Sequence, residues 1–597
     1  MRRGLVRGLV VLGGLATCWA IVVLWTGGGV WSIAGVRISS RGPRNPTLLA
    51  VVSSFVAWAI SAPGYRGTGL AAERRWFLDL AARLIARVRP PAAVVAGIAA
   101  AGVVLVGFTE GAWVVGASDS YGYVSQAHLW TIGALRQEPA LARALAEDVS
   151  LDVLTPLGYR PSIDGKTIAP TYPSGLPIVM AVFETLAGSD SVFWVVPMFA
   201  GVLVWATYLL GGRLHSPLIG ALAAVLVATS PPVLVQLTDA PMSDVPAAAL
   251  WMVAMVLATI DRRISAFGAG GATGLAILTR PNLVPLAAIV LGLLIARLIA
   301  AGRSRGHVVQ HVALFSLLSV SACLVTAAIN NALWGSPLTS GHGTLRDLFR
   351  LSNVWSNVVL YPLVFVRQMP IVLALPVGWL LRRSAFRWRV NADGDRTLRL
   401  ALGTFAVLAV LVYIAYPAYE SRWNLRFLIP AIPAVLVLAC FALFLLAGRL
   451  FETERTAALL ALAVIAGYGV HTARALGAFE MENVRRYAVI GRYVERELAD
   501  HTVLFAMLHS GSATYYSGRP TLRFDLLPPS QLDSVVATLQ QRGYEPYLLV
   551  DSQERLFFQD RFRGHSRLAA LDWQPLVSLH SPSVEIYSVR ADATPRP

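Results

Sequence analysis

A carboxylate opens the stretch Ser118-Asp119-Ser120-Tyr121-Gly122-Tyr123, just past an apolar run that ends near Gly116. A charge at the edge of a membrane span is costly unless it is solvated or used. Asp119 is therefore either a solvated loop residue or a catalytic group, and a base for a hydroxyl is the chemistry that a carboxylate there could supply. Asp239 and Asp244 flank Pro241 at the end of a helical hairpin, where Ser243-Asp244 could also cap the next helix. With Asp119 they make an acidic cluster suited to base catalysis, to holding an acceptor hydroxyl or to binding a divalent cation. Cations to face an anionic group are present too. Arg280, in Thr279-Arg280-Pro281-Asn282, lies between apolar segments. It either snorkels at a helix end or grips phosphate oxygens with its fork. Arg422 and Arg426, in Glu420-Ser421-Arg422-Trp423-Asn424-Leu425-Arg426, offer a second phosphate contact or an ion pair with Glu420. Lys166 is the single lysine and a further candidate.

These residues must be positioned by membrane helices. Of the 597 residues 56% are hydrophobic and only 14% charged, against about a quarter charged in a soluble domain. Apolar runs recur between short Arg-rich or Gly/Pro-rich loops and predict a polytopic α-helical membrane protein of about 13 spans. The stretch 265–300 is short for the two spans, 265–279 and 282–300, read in it. The net charge of +16 is spread over loops between spans and reads as topology, with no nucleic-acid patch. Cys18, Cys323 and Cys440 all lie in apolar runs, so there is no disulfide framework, and the sequence reads as having no metal-spaced Cys/His cluster.

Most loop arginines fall on one side if the N-terminus is inside, with Arg37, Arg41 and Arg44 dissenting. That orientation puts outside a long loop, 113–190, the short Asp239–Asp244 loop, and a less apolar region from about 480. In that region Thr502–Met507, Thr521–Asp525, Tyr547–Val550 and Val584–Val589 read as strands and Ser530–Gln541 as a helix, a small α/β domain. Within the long loop, Leu135–Leu145 reads as an amphipathic interfacial helix, and 178–188 as an interfacial or re-entrant segment. Gly268-Ala269-Gly270-Gly271-Ala272-Thr273-Gly274 lacks the preceding strand of a dinucleotide loop; Gly270 and Gly274 instead suit close helix packing.

Taken in order, Asp119, Tyr172-Pro173-Ser174-Gly175, Met242-Ser243-Asp244-Val245-Pro246, Leu278-Thr279-Arg280-Pro281-Asn282, Arg426-Phe427-Leu428-Ile429-Pro430 and Tyr515-Tyr516-Ser517-Gly518-Arg519 form a set. The set resembles the GT-C glycosyltransferases, the superfamily of protein O-mannosyltransferases and bacterial aminoarabinose transferases. The resemblance covers roughly 92–590. It implies a transmembrane catalytic domain at 92–475, preceded by an extension at 1–91 and followed by an extracytoplasmic domain at 480–597. It further implies a polyprenyl-phosphate-linked sugar as donor, a glycan, lipid or protein as acceptor, and a bacterial inner membrane with the active site on its outer face. Asp119 takes the place of the catalytic Asp. Asp244, or else Asp239, takes the second acidic position, with Tyr123 and Tyr172 beside the substrate. The aminoarabinose transferases carry a Glu-Lys-Pro-Pro run where this chain has Thr171-Tyr172-Pro173. That departure puts a metal in doubt and argues against that sugar. A membrane transporter or flippase of lipid-linked sugars is the rival reading, against which stand the large outer loop and the lack of internal repeats.

Overall fold

The computed structural model describes residues 2–33, 36–40, 42–61, 70, 72–73, 76, 91–145, 148–239, 241–383, 395–417, 425–450, 454–580 and 583–589. Arg422 and Glu420, and the arginine-rich stretches 77–90 and 384–394, lie outside them.

Apolar length alone does not make a span, and the helix count shows why. Among the described residues six helices are long and apolar enough to cross a membrane: Gly4–Thr26, Ala92–Thr109, Ser189–Leu214, Arg305–Trp334, Arg396–Tyr413 and Arg426–Leu446. Two bent pairs raise the number to at most eight: Pro217–Ala228 with Pro231–Thr238, bent by 49°, and Ser352–Gln368 with Pro370–Gly378, bent by 112°. By length and composition the described residues supply six to eight candidate spans of the thirteen expected. The runs near 245–260 and 282–300 form helices of only 15 residues, Asp244–Ala258 and Leu286–Ala300. At about 1.5 Å per residue each is near 22 Å, short of the roughly 30 Å hydrocarbon thickness. Asp244–Ala258 is buried along nearly its whole length, so its apolar residues face other helices. It is a core helix of the bundle.

Six helices carry the argument that follows: α1 (Asp119–Thr131), α2 (Pro231–Thr238), α3 (Asp244–Ala258), α4 (Arg263–Thr279), α5 (Arg305–Trp334) and α6 (Arg396–Tyr413). The α4–α5 crossing is a close one. A Cβ on Gly270 would come within 2.2 Å of the Phe315 carbonyl oxygen, and one on Gly274 within 2.8 Å of that of Leu318. Only a hydrogen atom fits between these backbones. Gly270→Ala is expected to cost about 1–3 kcal/mol by forcing the helices apart, read as a lowered Tm of the detergent-solubilised chain; an unchanged Tm would mean that the two helices have slack.

The C-terminal region has alternating elements with the period of strands and helices, and it folds as a five-stranded sheet. Its strands are β1 (Thr502–Phe505), β2 (Thr521–Leu522), β3 (Glu545–Asp551), β4 (Val577–His580) and β5 (Ser583–Ser588), in the order β2-β1-β3-β5-β4. The β1 pairings are parallel and the two β5 pairings antiparallel. β4 was not foreseen from the sequence. Helix Leu532–Gln541 covers one face through Val535, Val536 and Leu539.

The same apolar cluster takes in Leu141, Leu145, Val149 and Val153 from the long loop. The apolar side of Leu135–Leu145 thus packs under the sheet rather than lying in a lipid interface, and only Ala142–Leu145 of it is helical. Segment 178–188 belongs to helix Gly175–Ala187, on which Leu186 is 81% exposed and Val182 51% exposed. Such an apolar outer face suits the edge of a bilayer.

Candidate active site

Asp119 is the first residue of α1, and Asp244 the first of α3. Helix N-termini favour anions. The turn into α1 is sharp: Ala117 adopts φ +47°, the left-handed region that a non-glycine residue rarely visits. Arg280 stands at the opposite kind of end, just past the last turn of α4, where Pro281 stops the helix. Arg426 opens the short 3-10 stretch Arg426–Ala431 at the start of the candidate span Arg426–Leu446. The polar groups therefore sit on helix ends that meet.

They meet as one alternating chain. The Arg426 guanidinium donates through Nη2 to Asp119 Oδ2 at 2.5 Å and through Nε to Asp244 Oδ2 at 3.1 Å. Arg280 donates through Nη2 to the other oxygen of Asp244, at 2.5 Å. Its Nε reaches Ser243 Oγ at 3.2 Å and its Nη1 the Tyr413 hydroxyl at 3.1 Å. Ser243 also accepts from the Tyr123 hydroxyl at 2.8 Å. The Ser243 and Asp244 side chains are thus spent on tertiary partners, and neither caps α3. Phe427 lies beside both guanidiniums, 5.3 Å and 5.4 Å from their carbons, a distance at which the ring face attracts a cation.

Asp119 has a second donor. The Tyr172 hydroxyl gives its proton to Asp119 Oδ1 at 2.5 Å and also lies 2.6 Å from Ser118 Oγ. Burial alone would raise the Asp119 pKa, but the charge of Arg426, with the Tyr172 and Arg426 hydrogen bonds, outweighs it and holds the carboxyl below its ordinary value. Burial beside Asp119 raises Tyr172 well above the ordinary phenol, which keeps it a donor. His342 packs edge-on to the Tyr172 ring, and burial lowers its pKa and favours the neutral imidazole. The loop bearing Tyr172 is fixed by Gly175: a Cβ there would come within 2.3 Å of the Thr279 backbone nitrogen. This close approach brings the Tyr172 motif against the Arg280 motif.

A cavity of about 690 Å³ opens over this chain, lined by Asp119, Tyr123, Tyr172, Arg280, Arg426 and His342 on its polar side. α5 adds Cys323, Ala327, Ile329 and Leu333, with Thr326 and Asn330, so the lining combines charged and apolar groups. Buried Gln126 also lines it, and its Oε1 has no hydrogen-bond partner.

Three of the described sequence candidates do not line this cavity: Asp244, which is fully buried, Lys166 and Asp239. Lys166 is exposed on the turn of the hairpin formed by Tyr159–Pro161 and Ile168–Pro170, where its amide donates to Asp164. Asp239 follows the last turn of α2. A divalent cation between Asp119 and Asp244 does not fit the groups present, because Arg426 already lies between the two carboxylates. Sequence reasoning passed over Tyr413 and His342, and weighed Ser243 only as a helix cap.

The fold is one shared with solved structures of ArnT. In particular, the structure of ArnT from Cupriavidus metallidurans bound to undecaprenyl phosphate matches with a TM-score of 0.52 and 14% identity, over 84% of this chain and 99% of that one. The apo form of the same protein matches with a TM-score of 0.53 at 14% identity and the same coverage. The Archaeoglobus fulgidus oligosaccharyltransferase in complex with zinc and sulfate gives a TM-score of 0.46 at 12% identity, over 80% of this chain and 70% of that one. No protein-family profile and no curated protein sequence matches the chain.

Proposed function

We propose that the chain is an integral-membrane glycosyltransferase. It moves a sugar from a polyprenyl-phosphate carrier to a hydroxyl of an envelope glycan, lipid or protein, on the outer face of the membrane. The observation that carries this reading is the alternation Asp119–Arg426–Asp244–Arg280, of which Asp119, Arg426 and Arg280 open into a cavity also lined by apolar residues of α5. An amphipathic phosphodiester has both kinds of surface to match. The fold supports the reading as well, since ArnT shares it and was found with undecaprenyl phosphate bound.

In this mechanism the acceptor oxygen attacks the anomeric carbon and the bond from that carbon to the phosphate oxygen breaks. The acceptor proton goes to Asp119, and the polyprenyl phosphate leaves with one more negative charge. A single displacement inverts the anomeric centre. Arg426 meets the phosphate, and Arg280 holds Asp244 and so fixes the plane of Arg426. The incoming phosphate competes with Asp119 for Arg426. As the phosphate takes over the Nη2 donor of Arg426 and offsets its charge, Asp119 becomes more basic, so the base is released when its substrate arrives.

The test is to incubate the purified chain with polyprenyl-phosphate sugars and candidate acceptors and to quantify free polyprenyl phosphate. Release that depends on acceptor supports the proposal; sugar carriers that cross vesicle membranes intact, with no release, would make it a flippase. Orientation has its own check. Ser552, exposed at the start of helix Ser552–Phe562, should react as Ser552→Cys with a membrane-impermeant maleimide on intact spheroplasts. Labelling only after lysis would put the C-terminal sheet inside and overturn the topology.

A further inference from the structure

We propose a second site, for a divalent transition-metal ion, at the end of the bundle away from Arg280. Three side chains meet there: Asp261, between α3 and α4, and His307 and His311, on the first two turns of α5. Their ligand atoms all lie within 4.8 Å of one another. His307 Nε2 is 2.9 Å from Asp261 Oδ1, and His311 Nε2 is 3.7 Å from the same oxygen. The two imidazoles stack at 4.2 Å, as a spacing of four on one helix face requires.

His311 gives the decisive detail. Its side chain is 1% exposed. Its Nδ1 lies 2.9 Å from the His307 carbonyl oxygen, to which it can only donate, so the proton sits on Nδ1 and the lone pair on Nε2. That Nε2 has no hydrogen-bond partner. A buried acceptor left unsatisfied is costly, and a bound metal would satisfy it. Backbone anchoring of the far ring nitrogen is also how proteins orient histidine ligands.

Two imidazole nitrogens and one carboxylate oxygen select a first-row ion such as zinc over calcium or magnesium, which prefer oxygen. A water would complete four-coordination. The other carboxylate oxygen stays with Arg303, whose Nε is 2.5 Å away, and this pair orients the acid as a ligand. Zinc–nitrogen bonds of about 2.0–2.1 Å require the His307–Asp261 contact to open by only a few tenths of an ångström. The spacing of His307 and His311 was visible in the sequence, contrary to the reading that no metal-spaced cluster exists; what sequence could not give was Asp261, brought in by the α3–α4 turn.

The site is structural. The 17 residues of α4, at about 1.5 Å each, keep it roughly 25 Å from Arg280. It ties the α3–α4 connection to the start of α5, beside the close crossing at Gly270.

The experiment uses the full chain, purified in detergent without a histidine tag, stripped with a chelator and dialysed against zinc. Mass spectrometry of the metal should find about one zinc per chain. Cobalt should give visible d–d bands, and zinc should raise the Tm. His307→Ala and Asp261→Ala alter partly exposed groups that the bundle tolerates, and each should weaken zinc binding at least tenfold and abolish the Tm rise. Wild-type chain that retains no zinc, or variants that retain it as tightly as wild type, would overturn the proposal.

Discussion

Asp119→Asn is expected to slow sugar transfer by about two to four orders of magnitude, the usual range for loss of a general base. Asparagine keeps the size of the side chain and can still accept from Tyr172. It has no negative charge and little basicity. The variant should fold, because Arg426 keeps its second partner, Asp244. Donor affinity should hold or improve, since Asp119 no longer competes with the phosphate for Arg426. The measurement is single-turnover release of polyprenyl phosphate together with an equilibrium donor-binding assay. Near wild-type turnover in Asp119→Asn with none in Asp244→Asn would move the base to α3.

Arg280→Ala is expected to act on the fold before it acts on the chemistry. Asp244 is fully buried, and Arg280 is one of its two guanidinium partners. Removing one side of a buried ion pair typically costs about 3–5 kcal/mol, because the other charge is left in a poor solvent. A large drop in Tm should accompany the loss of activity. Arg280→Lys should recover only part of it, since one ammonium cannot serve Ser243, Tyr413 and Asp244 with the geometry of the fork. Replacing both partners, as Arg280→Met with Asp244→Leu, should restore more stability than either single change yet remain inactive. Thermal melts in detergent beside transfer assays decide the matter: single variants that melt like wild type would show that Asp244 does not depend on Arg280.

What the sequence could reveal of this site follows from the nature of each signal. A carboxylate or arginine beside an apolar run is visible because the membrane makes it expensive, and Asp119, Asp244, Arg280 and Arg426 were all candidates on that ground. Their pairing was not visible. Arg426 lies 307 positions from Asp119, and the local alternatives for each residue, capping for Asp244 and snorkelling for Arg280, were equally good sequence readings. Lys166 attracted notice only as the single lysine, a compositional oddity with no bearing on where its hairpin points. The described residues supply six to eight of the thirteen expected spans, and hydropathy cannot separate a helix that faces lipid from one, such as Asp244–Ala258, that faces other helices. Leu135–Leu145 misled for the same reason: an apolar side fits a bilayer surface or the underside of a sheet equally well. The strands of the C-terminal region were legible because alternation and turn residues are local. β4 was missed, its four residues Val577–His580 offering too little alternation to stand out.

The most direct test of the account is glycan mass spectrometry of cell envelopes from cells that lack the protein, complemented with wild type or with Asp119→Asn. The account predicts that one envelope glycan, lipid or glycoprotein loses a sugar of fixed mass, and that wild type restores it but Asp119→Asn does not. Envelopes with identical glycans in all three would contradict it, as would full restoration by Asp119→Asn.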